Sequence, residues 1–397
     1  MRTLRGLATI FLALLSLPLS VAHAEEPAAD AVEGSVDGGI GKGVQLVTPD
    51  GDLRFQIQAR TQVRADIELP EGEAATISPM VRRMRLVVRA EAPRLNVGLY
   101  VQLGFAPGDL DPAAPNIVRD AVITWTPSPA FRLRVGQTKV PFNRERSVSS
   151  SALSFVDRSI VNGELTLDRD MGLQFLFDQL DGAGHLGLQL GVFGGDGRNV
   201  PNTDNGLLYT MRLEYKLNPK DDTYSEVDLR DDRSRPLFAM ALGAGYNHKA
   251  RRSRSTIGSF LPGDLHANLL HGEFDLIFKY EGWSIQAEVL ARRSTEETGN
   301  YVDADGNDAV SGFRNGFGWF VAVGHAFDAK YFVGLRYAEL RPLGDASTLK
   351  TQHVLRATGG WFIARHALKA QIDYGYLFGE GFGGGRHEVR LQTQVFF

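Results

Sequence analysis

The sequence predicts an all-β fold, a transmembrane antiparallel β-barrel of about 16 strands. Segments of about ten residues alternate polar with apolar side chains, which is the pattern and length of tilted strands that cross a bilayer. The connections between these segments alternate between long and short. The chain ends in an amphipathic strand whose last residue is Phe397. In this barrel the third long connection is expected to fold inward as a constriction loop.

The first 24 residues have the pattern of a secretory signal peptide. Two arginines precede the apolar run Leu7–Leu19, and an Ala-His-Ala cleavage site follows. No other stretch has the roughly 18 apolar residues that a membrane helix needs. We therefore expect 1–24 to be removed on export. Residues 25–50 are rich in Ala, Gly and acidic residues and are expected to form a flexible periplasmic segment, and the barrel is expected over 51–397.

Composition narrows the possible functions. The chain has no cysteine, which excludes disulfides and thiolate catalysis, and its nine histidines are scattered singly, so we expect no metal and no cofactor. Without Arg2 and Arg5 of the leader, 41 basic residues remain against 47 acidic ones. Because the mature chain is mildly acidic, an anion pathway must concentrate positive charge locally, and no nucleic-acid partner is expected.

The alternation is clearest from Leu53 onward. Odd positions up to Ala65 are mostly apolar, and even positions from Arg54 to Asp66 are all polar. In a soluble sandwich the apolar face would meet a core, whereas in a membrane barrel it meets lipid and the polar face lines water. Periodicity alone leaves both interpretations open.

The lengths of the connections favour the membrane barrel, in which long extracellular loops alternate with short periplasmic turns. Residues 218–236 are an exception, because the register places this long segment among the short turns. It is either a folded-back elaboration or a missed hairpin. The long connections are expected at 67–81, 106–118, 139–168, 194–205, 248–268 and 294–314.

The third long connection, Lys139–Asp168, is the stretch around which the chain is organised. A segment of about 30 residues without sustained period is uncommon in a compact domain and is usually functional. It carries Lys139, Arg144, Arg146 and Arg158. Between two strands of a closed barrel it is expected to bring these cationic donors into the lumen.

Two motifs carry a resemblance to a known family. Residues 120–125 read DAVITW and residues 135–142 read VGQTKVPF. With 149–158 and 192–197, they resemble the phosphate-selective porin O and P family over about the first half of the mature chain. The resemblance implies a homotrimer of sixteen-stranded barrels in the outer membrane of a Gram-negative bacterium, each with an arginine-lined lumen narrowed by the third extracellular loop. The chain departs from the phosphate-selective members in having only nine lysines and no lysine cluster, which counts against a phosphate preference.

Twelve cationic residues are the candidates for pore lining and anion binding. Those on strands point away from the predicted lipid face, and the others lie in or beside the third long connection. Arginine suits phosphate because its planar fork donates two parallel hydrogen bonds and keeps its charge. Pairing with nearby carboxylates, which would brace the wall and the loop, is the alternative. The candidates are Arg60, Arg64, Arg83, Arg85, Arg89, Arg132, Arg134, Lys139, Arg144, Arg146, Arg158 and Arg169.

The sequence therefore predicts an outer-membrane porin for passive diffusion of small anions, phosphate or polyphosphate among them. A general or sugar-type diffusion porin, in which acidic residues offset the arginines, is the alternative. Outer-membrane lipid and lipopolysaccharide are the expected surroundings, and the basic run 248–254 either focuses anions at the mouth or binds lipopolysaccharide phosphates. No Gly-x-Ser-x-Gly motif occurs, so we expect no enzyme and no catalytic residue.

Overall fold

The structure is a computed structural model that describes residues 35–201, 205–263 and 265–397. The first half of the chain contributes β1 (Ser35–Gly39), β2 (Gly43–Val47), β3 (Arg54–Pro70), β4 (Thr76–Ala92), β5 (Val97–Gly104), β6 (Val118–Ser128), β7 (Phe131–Lys139), β8 (Arg169–Phe177), β9 (Leu186–Phe193) and β10 (Leu208–Lys216). The second half contributes β11 (Leu237–Ala250), β12 (Ala267–Tyr280), β13 (Trp283–Ser294), β14 (Thr298–Val302), β15 (Asp308–Gly312), β16 (Gly316–Phe327), β17 (Tyr331–Pro342), β18 (Gln352–His366), β19 (Leu368–Phe378) and β20 (Arg386–Phe396).

These strands form a closed antiparallel barrel of 16 strands. From β3 to β13 and again from β16 to β20, each strand pairs with the next along the chain, and β13 pairs with β16. The barrel closes where β20 pairs with β3, in a register that sets Phe396 opposite Arg60. The predicted fold class is confirmed.

The barrel exposes its apolar face and buries its polar one. In β3, Ile57, Ala59 and Val63 are exposed, whereas the alternate residues Gln58 and Arg60 are buried. A soluble sandwich would show the reverse, because its apolar face would pack on a core. The burial pattern therefore decides between the two interpretations that periodicity left open, with apolar side chains toward lipid and polar ones toward the interior.

Aromatic residues are concentrated on the outer face near the short turns. Trp125, Trp283, Tyr331 and Trp361 are all about half exposed, and the rings of Tyr331 and Trp361 stack with centroids 6.5 Å apart. Such rings have an apolar body and a polar group, and they suit the boundary between lipid and water. They mark one interface of the membrane-embedded band.

A two-residue turn, Glu281 and Gly282, joins β12 to β13. Both residues have positive φ, 47° and 88°, which is the geometry of hairpin turns that match strand twist. A Cβ at Gly282 would lie 2.6 Å from the carbonyl oxygen of Ala326. Only glycine fits this position without displacing the backbone.

Two expectations about irregular segments are wrong. Within 25–50, which was expected to be flexible throughout, β1 and β2 form a hairpin, and Val44 of β2 pairs with Ile57 of β3. The first residues of β3 extend past the end of β20, so their backbone groups need a partner, and β2 supplies it. The connection expected at 67–81 shortens to 71–75, since β3 and β4 continue pairing through it. The predicted signal peptide, 1–24, lies outside the described residues.

The connection between β7 and β8, residues 140–168, packs against strand residues such as Phe320 and Leu340 and is called loop 140–168 below. Two short helices, Arg144–Ser147 and Ile160–Leu165, interrupt it. Its apolar side chains, Phe142 and Phe155 among them, form the main buried cluster with residues such as Phe320 on the inner face of the strands. Among the described helices, none has the length and hydropathy to span a membrane.

Candidate functional site

Arg144 anchors the start of loop 140–168 to the barrel wall. Its Nε donates to Asp275 of β12 at 2.9 Å and its Nη2 to Glu214 of β10 at 2.7 Å, and all three residues are buried. A charge taken out of water is stable only when it is paired, and here two carboxylates pair with it. Arg144 does not line either cavity described below. Of the two roles that the sequence allows, pore lining and pairing with carboxylates, these contacts fit the second.

Further anchors hold the same loop to other strands. Arg336 of β17 pairs with Glu145 at 3.3 Å, and the Nζ of Lys369 on β19 donates to the carbonyl of Leu153 at 2.9 Å. On β3, Gln62 donates to the carbonyl of Ser150 at 3.1 Å. Because these strands lie at different positions around the barrel, the loop is tied to its inner face at several points.

Segment 218–236, between β10 and β11, meets loop 140–168 inside the barrel. The carboxylate of Glu226 accepts hydrogen bonds from the backbone nitrogen and the hydroxyl of Ser154, both at 2.7 Å. Val227 and Leu229 are buried against inner-face residues such as Phe332. The segment contains no strand, so of the two alternatives raised by the sequence it is the folded-back elaboration.

Between loop 140–168 and strands β4 to β8 lies a cavity of about 840 Å³, called the upper cavity here. Residues of the β5–β6 and β11–β12 connections line it as well, which places it toward the end with the long connections. Cationic side chains outnumber acidic ones in its lining by eleven to three. The cations are Arg82, Arg83, Arg85, Arg89, Arg119, Lys139, Arg146, Arg158, Arg169, Arg198 and Arg254, and the acids are Asp111, Asp120 and Asp168.

A second cavity of about 690 Å³, called the lower cavity, lies toward the short turns. Arg54, Arg89, Arg132 and Arg134 contribute its positive charge, and Glu91 is the acidic residue of its lining. Both cavities are lined by Arg89, Tyr100 and Thr138, so they adjoin at these three residues, which we call the junction. Together the cavities extend from the long-connection end of the barrel to the short-turn end.

The junction has an arginine whose charge no carboxylate balances. The guanidinium carbon of Arg89 lies 5.1 Å from the centre of the Tyr100 ring, in cation–π geometry. Within the described chain, the hydrogen bonds of Arg89 go to the side-chain oxygens of Gln56 and Gln58, which are neutral. Arg89 therefore presents a full positive charge where the two cavities meet.

Other arginines around the upper cavity share a small number of carboxylates. Asp157 of loop 140–168 pairs with Arg64, Arg82 and Arg83 at 2.8 to 2.9 Å. Burial alone would raise the pKa of this carboxyl, but its guanidinium neighbours hold that pKa well below the usual range. Arg64 also pairs with Asp66 at 2.7 Å, so two carboxylates serve three arginines. These ion pairs both fix the loop and leave positive charge in excess.

The same sharing recurs at two further carboxylates. Asp109 pairs with Arg85 at 2.6 Å and with Arg119 at 3.6 Å. Asp168 pairs with Arg146 and with Arg169, and Arg169 also contacts Asp120 at 3.0 Å. Bracing and cavity lining are thus not exclusive, because the same arginines do both.

Several lining cations have only neutral partners. Lys139 donates to the carbonyls of Ser147 and Val148, and Arg158 donates to those of Glu145 and Val148. Arg198 is 6% exposed, and its Nη1 has no hydrogen-bond partner in the described chain.

In the lower cavity, Arg132 pairs with Asp178 at 2.6 Å. The guanidinium group of its neighbour Arg134 forms no hydrogen bond or ion pair with the described residues. Unbalanced positive charge is therefore present in both cavities.

Nine of the twelve sequence candidates line a cavity, and three do not. Arg144 is the anchor described above. Arg64 braces loop 140–168 through Asp157, and Arg60 donates to the hydroxyls of Ser149 and Ser150, which themselves line the upper cavity. The nine are Arg83, Arg85, Arg89, Arg132, Arg134, Lys139, Arg146, Arg158 and Arg169.

Sequence alternation missed Arg82 and Arg119, and β-bulges explain why. The register of β3 with β4 shifts so that Arg82 has no opposite residue, and the register of β5 with β6 skips Arg119 in the same way. A bulge brings two successive side chains to one face, so each arginine joins its neighbour on the inner side. Simple alternation places both side chains on the lipid face, where an arginine destabilises a barrel by about 2–4 kcal/mol. That unfavourable placement was the signal in the sequence that the alternation breaks at these two positions.

Comparison with known proteins identifies a family and a fold. The family model described as "Phosphate-selective porin O and P" matches residues 55–375. The anion-selective porin from Comamonas acidovorans is 11% identical with a TM-score of 0.54, over 87% of this chain and 100% of that one. The outer membrane channel DcaP of Acinetobacter baumannii is 12% identical with a TM-score of 0.56, over 87% and 97%.

A trimer form of OmpT, an outer membrane protein of Vibrio cholerae, is 12% identical with a TM-score of 0.50, over 86% of this chain and 99% of that one. At these identities the likeness to solved structures concerns the fold alone. Comparison with curated protein sequences finds no match. Within the described residues, no cluster of side chains suits a metal ion.

Proposed function

The chain belongs to the phosphate-selective porin O and P family, and from that premise we propose that small anions diffuse passively through its upper cavity, junction and lower cavity. The protein is an outer-membrane porin, and the proposal concerns what it conducts and which residues select it. In this proposal loop 140–168 is the constriction loop, and the cavities beside it are the permeation path.

The surplus of positive charge along the cavities carries the proposal. An anion that leaves bulk water needs fixed donors to replace its hydration, and it must not be bound so tightly that it stays. A row of moderate sites meets both demands. The eleven cations of the upper cavity, which include Arg89 at the junction, form such a row with Arg134 in the lower cavity. Because all of them line the two adjoining cavities, an anion that enters meets several donors in turn.

The lining cations have two proposed roles. Those with only neutral partners, such as Arg89, Arg158 and Arg198, supply the field that attracts anions. The arginines that share Asp109, Asp157 or Asp168 fix the shape of the path. Because they outnumber these three carboxylates, they also add net positive charge to it. Phosphate and polyphosphate are proposed substrates because arginine forks match the geometry of phosphoryl oxygens.

A general diffusion porin without strong phosphate selectivity is the second candidate. It is favoured by the three acidic residues in the upper cavity lining and by the scarcity of lysine in the chain. Block of chloride current by inorganic phosphate in planar bilayers separates the two. Block at millimolar phosphate supports phosphate selectivity. Its absence, with anion selectivity retained, supports the general porin.

Assembly and export complete the proposal. A homotrimer in outer-membrane lipid and lipopolysaccharide is supported by the family and by the trimer form recorded for the Vibrio cholerae protein of similar fold. Cross-linking in detergent would test it, and a monomer band alone would contradict it. Cleavage after residue 24 is tested by N-terminal sequencing of the exported protein, which should begin at Glu25.

A further inference from the structure

The upper cavity is larger than an inorganic phosphate requires. Its volume is about 840 Å³, and pockets of roughly 300 to 1,000 Å³ are the usual size of sites that enclose organic molecules. A single phosphate ion would leave most of this space to water. The cavity therefore has room for a molecule with a body as well as a charged group.

The lining of the upper cavity also has two kinds of surface. Beside the cations, it includes the apolar side chains of Leu110, Pro112 and Ala113 from the β5–β6 connection and of Ile257 from the β11–β12 connection. All four come from the long connections at the mouth. Inorganic phosphate and polyphosphate have no apolar part that such a surface would contact. We call these four residues the apolar shelf.

Arg198 gives the cavity a donor that lacks an acceptor. It lies in the β9–β10 connection, 6% exposed, and its Nη1 has no partner in the described chain. Arg198 lines the upper cavity and forms no ion pair with the described residues. Its charge is therefore available to an anion that enters the cavity.

We propose that the upper cavity binds organic phosphate esters of sugar or nucleoside size, with the phosphate on its arginines and the uncharged body on the apolar shelf. This inference rests on the proposed function and deepens it, because it names the class of anion that the mouth of the porin selects. Phosphate esters place charge at one end of the molecule and an uncharged body at the other. The cavity has the matching two surfaces.

The test compares adenosine monophosphate, adenosine and inorganic phosphate as blockers of chloride current through the protein in planar bilayers. Adenosine monophosphate should reach half block at a concentration about tenfold below that of phosphate, since burial of even ~60 Å² of apolar surface suffices for that ratio. Adenosine alone should not block. Equal block by the nucleotide and by phosphate, or block by adenosine, would overturn the proposal.

Two variants and a control sharpen the test. Leu110→Ser combined with Ile257→Ser removes about the apolar surface on which the nucleotide body is proposed to rest. The ratio of half-block concentrations of phosphate and nucleotide should then fall from about tenfold to about one. Arg198→Gln should weaken block by both anions. Val310→Ser, an exposed apolar position in the β14–β15 hairpin, should leave the ratio as it is. An unchanged ratio in the shelf variant would also overturn the proposal.

The zero-current potential in a salt gradient distinguishes this inference from the proposed function. Cation selectivity would contradict the proposed function itself. Anion selectivity without nucleotide preference would overturn the apolar shelf alone.

Discussion

The guanidinium group of Arg89 lies over the ring of Tyr100, 5.1 Å from its centre, where the upper and lower cavities adjoin. The Tyr100 ring is neutral. The side chains that accept hydrogen bonds from Arg89 belong to glutamines, which are neutral too. The arginine is therefore fixed in place, and no carboxylate of the described residues pairs with it. An anion that moves from one cavity to the other passes close to this group.

Substitution of Arg89 tests this position directly. We expect Arg89→Gln to lower the chloride-to-potassium permeability ratio about fourfold, since a unit charge at ~5 Å is worth about 0.8 kcal/mol even in the dielectric of bulk water. The reversal potential in a salt gradient measures the ratio. Arg94→Gln is the matched control, because Arg94 is 72% exposed in a turn outside both cavities. Equal ratios for the two variants would contradict the assignment.

Loss of Arg144 should free the start of loop 140–168. Arg144→Ala removes one of two arginines that pair with Asp275 and Glu214, since Arg212 contacts them at 2.5 and 3.5 Å. The free energy of unfolding should therefore fall by less than the about 3–5 kcal/mol of a buried charge left with no partner. We expect a lower unfolding temperature of the detergent-solubilised protein and noisier single-channel currents. Thermal unfolding followed by tryptophan fluorescence gives the first quantity and bilayer recording the second. Wild-type values for both would mean that the loop is held without this anchor.

Segment 218–236 should control how firmly loop 140–168 is seated. Glu226→Ala removes the acceptor of two hydrogen bonds from Ser154, and hydrogen bonds to charged groups contribute about 1.5–3 kcal/mol each. We expect a larger single-channel conductance, because the loop can then move away from the wall. Asp232→Ala, at an exposed position of the same segment, is the control. Conductance that rises equally in both variants would count against a specific contact.

Asp157 should make stability depend on pH in a defined direction. Its pKa in the folded protein lies well below the ordinary value, because three arginines surround it. A carboxyl of this kind contributes stability that is fully present above about pH 4, the ordinary pKa, and is lost as the pH falls through the folded value.

The difference in unfolding temperature between wild type and Asp157→Asn measures that contribution. It should be constant from neutral pH to about pH 4, the ordinary pKa of the group, and should shrink only below it. A difference that disappears between pH 7 and 5 would show that the arginines do not lower this pKa.

The barrel could be predicted from the sequence because bilayer and lumen impose opposite demands at every step along a strand. Each of the sixteen barrel strands overlaps a segment where polar and apolar residues alternate, from Arg54 in β3 to Phe396 in β20. The β1–β2 and β14–β15 hairpins were missed, because each of their strands has only 5 residues, about half the length of a membrane-crossing strand.

The candidate site was only partly accessible to sequence analysis. Alternation identified inward arginines such as Arg83 and Arg89, but a bulge at Arg82 breaks the period locally, and period was the only information used. Arg144 was a candidate for pore lining because it is an arginine in the third long connection. Its carboxylate partners could not be identified from the sequence, because they lie 70 and 131 residues away in the chain. Contacts at that separation are set by closure of the barrel.

The zero-current potential across a planar bilayer that contains the purified protein, with potassium chloride more concentrated on one side, tests the central claim most directly. Excess positive charge along the path predicts that chloride crosses faster than potassium, so the dilute side becomes negative. A positive dilute side would mean that the acidic residues determine selectivity, and it would contradict an anion path along these arginines.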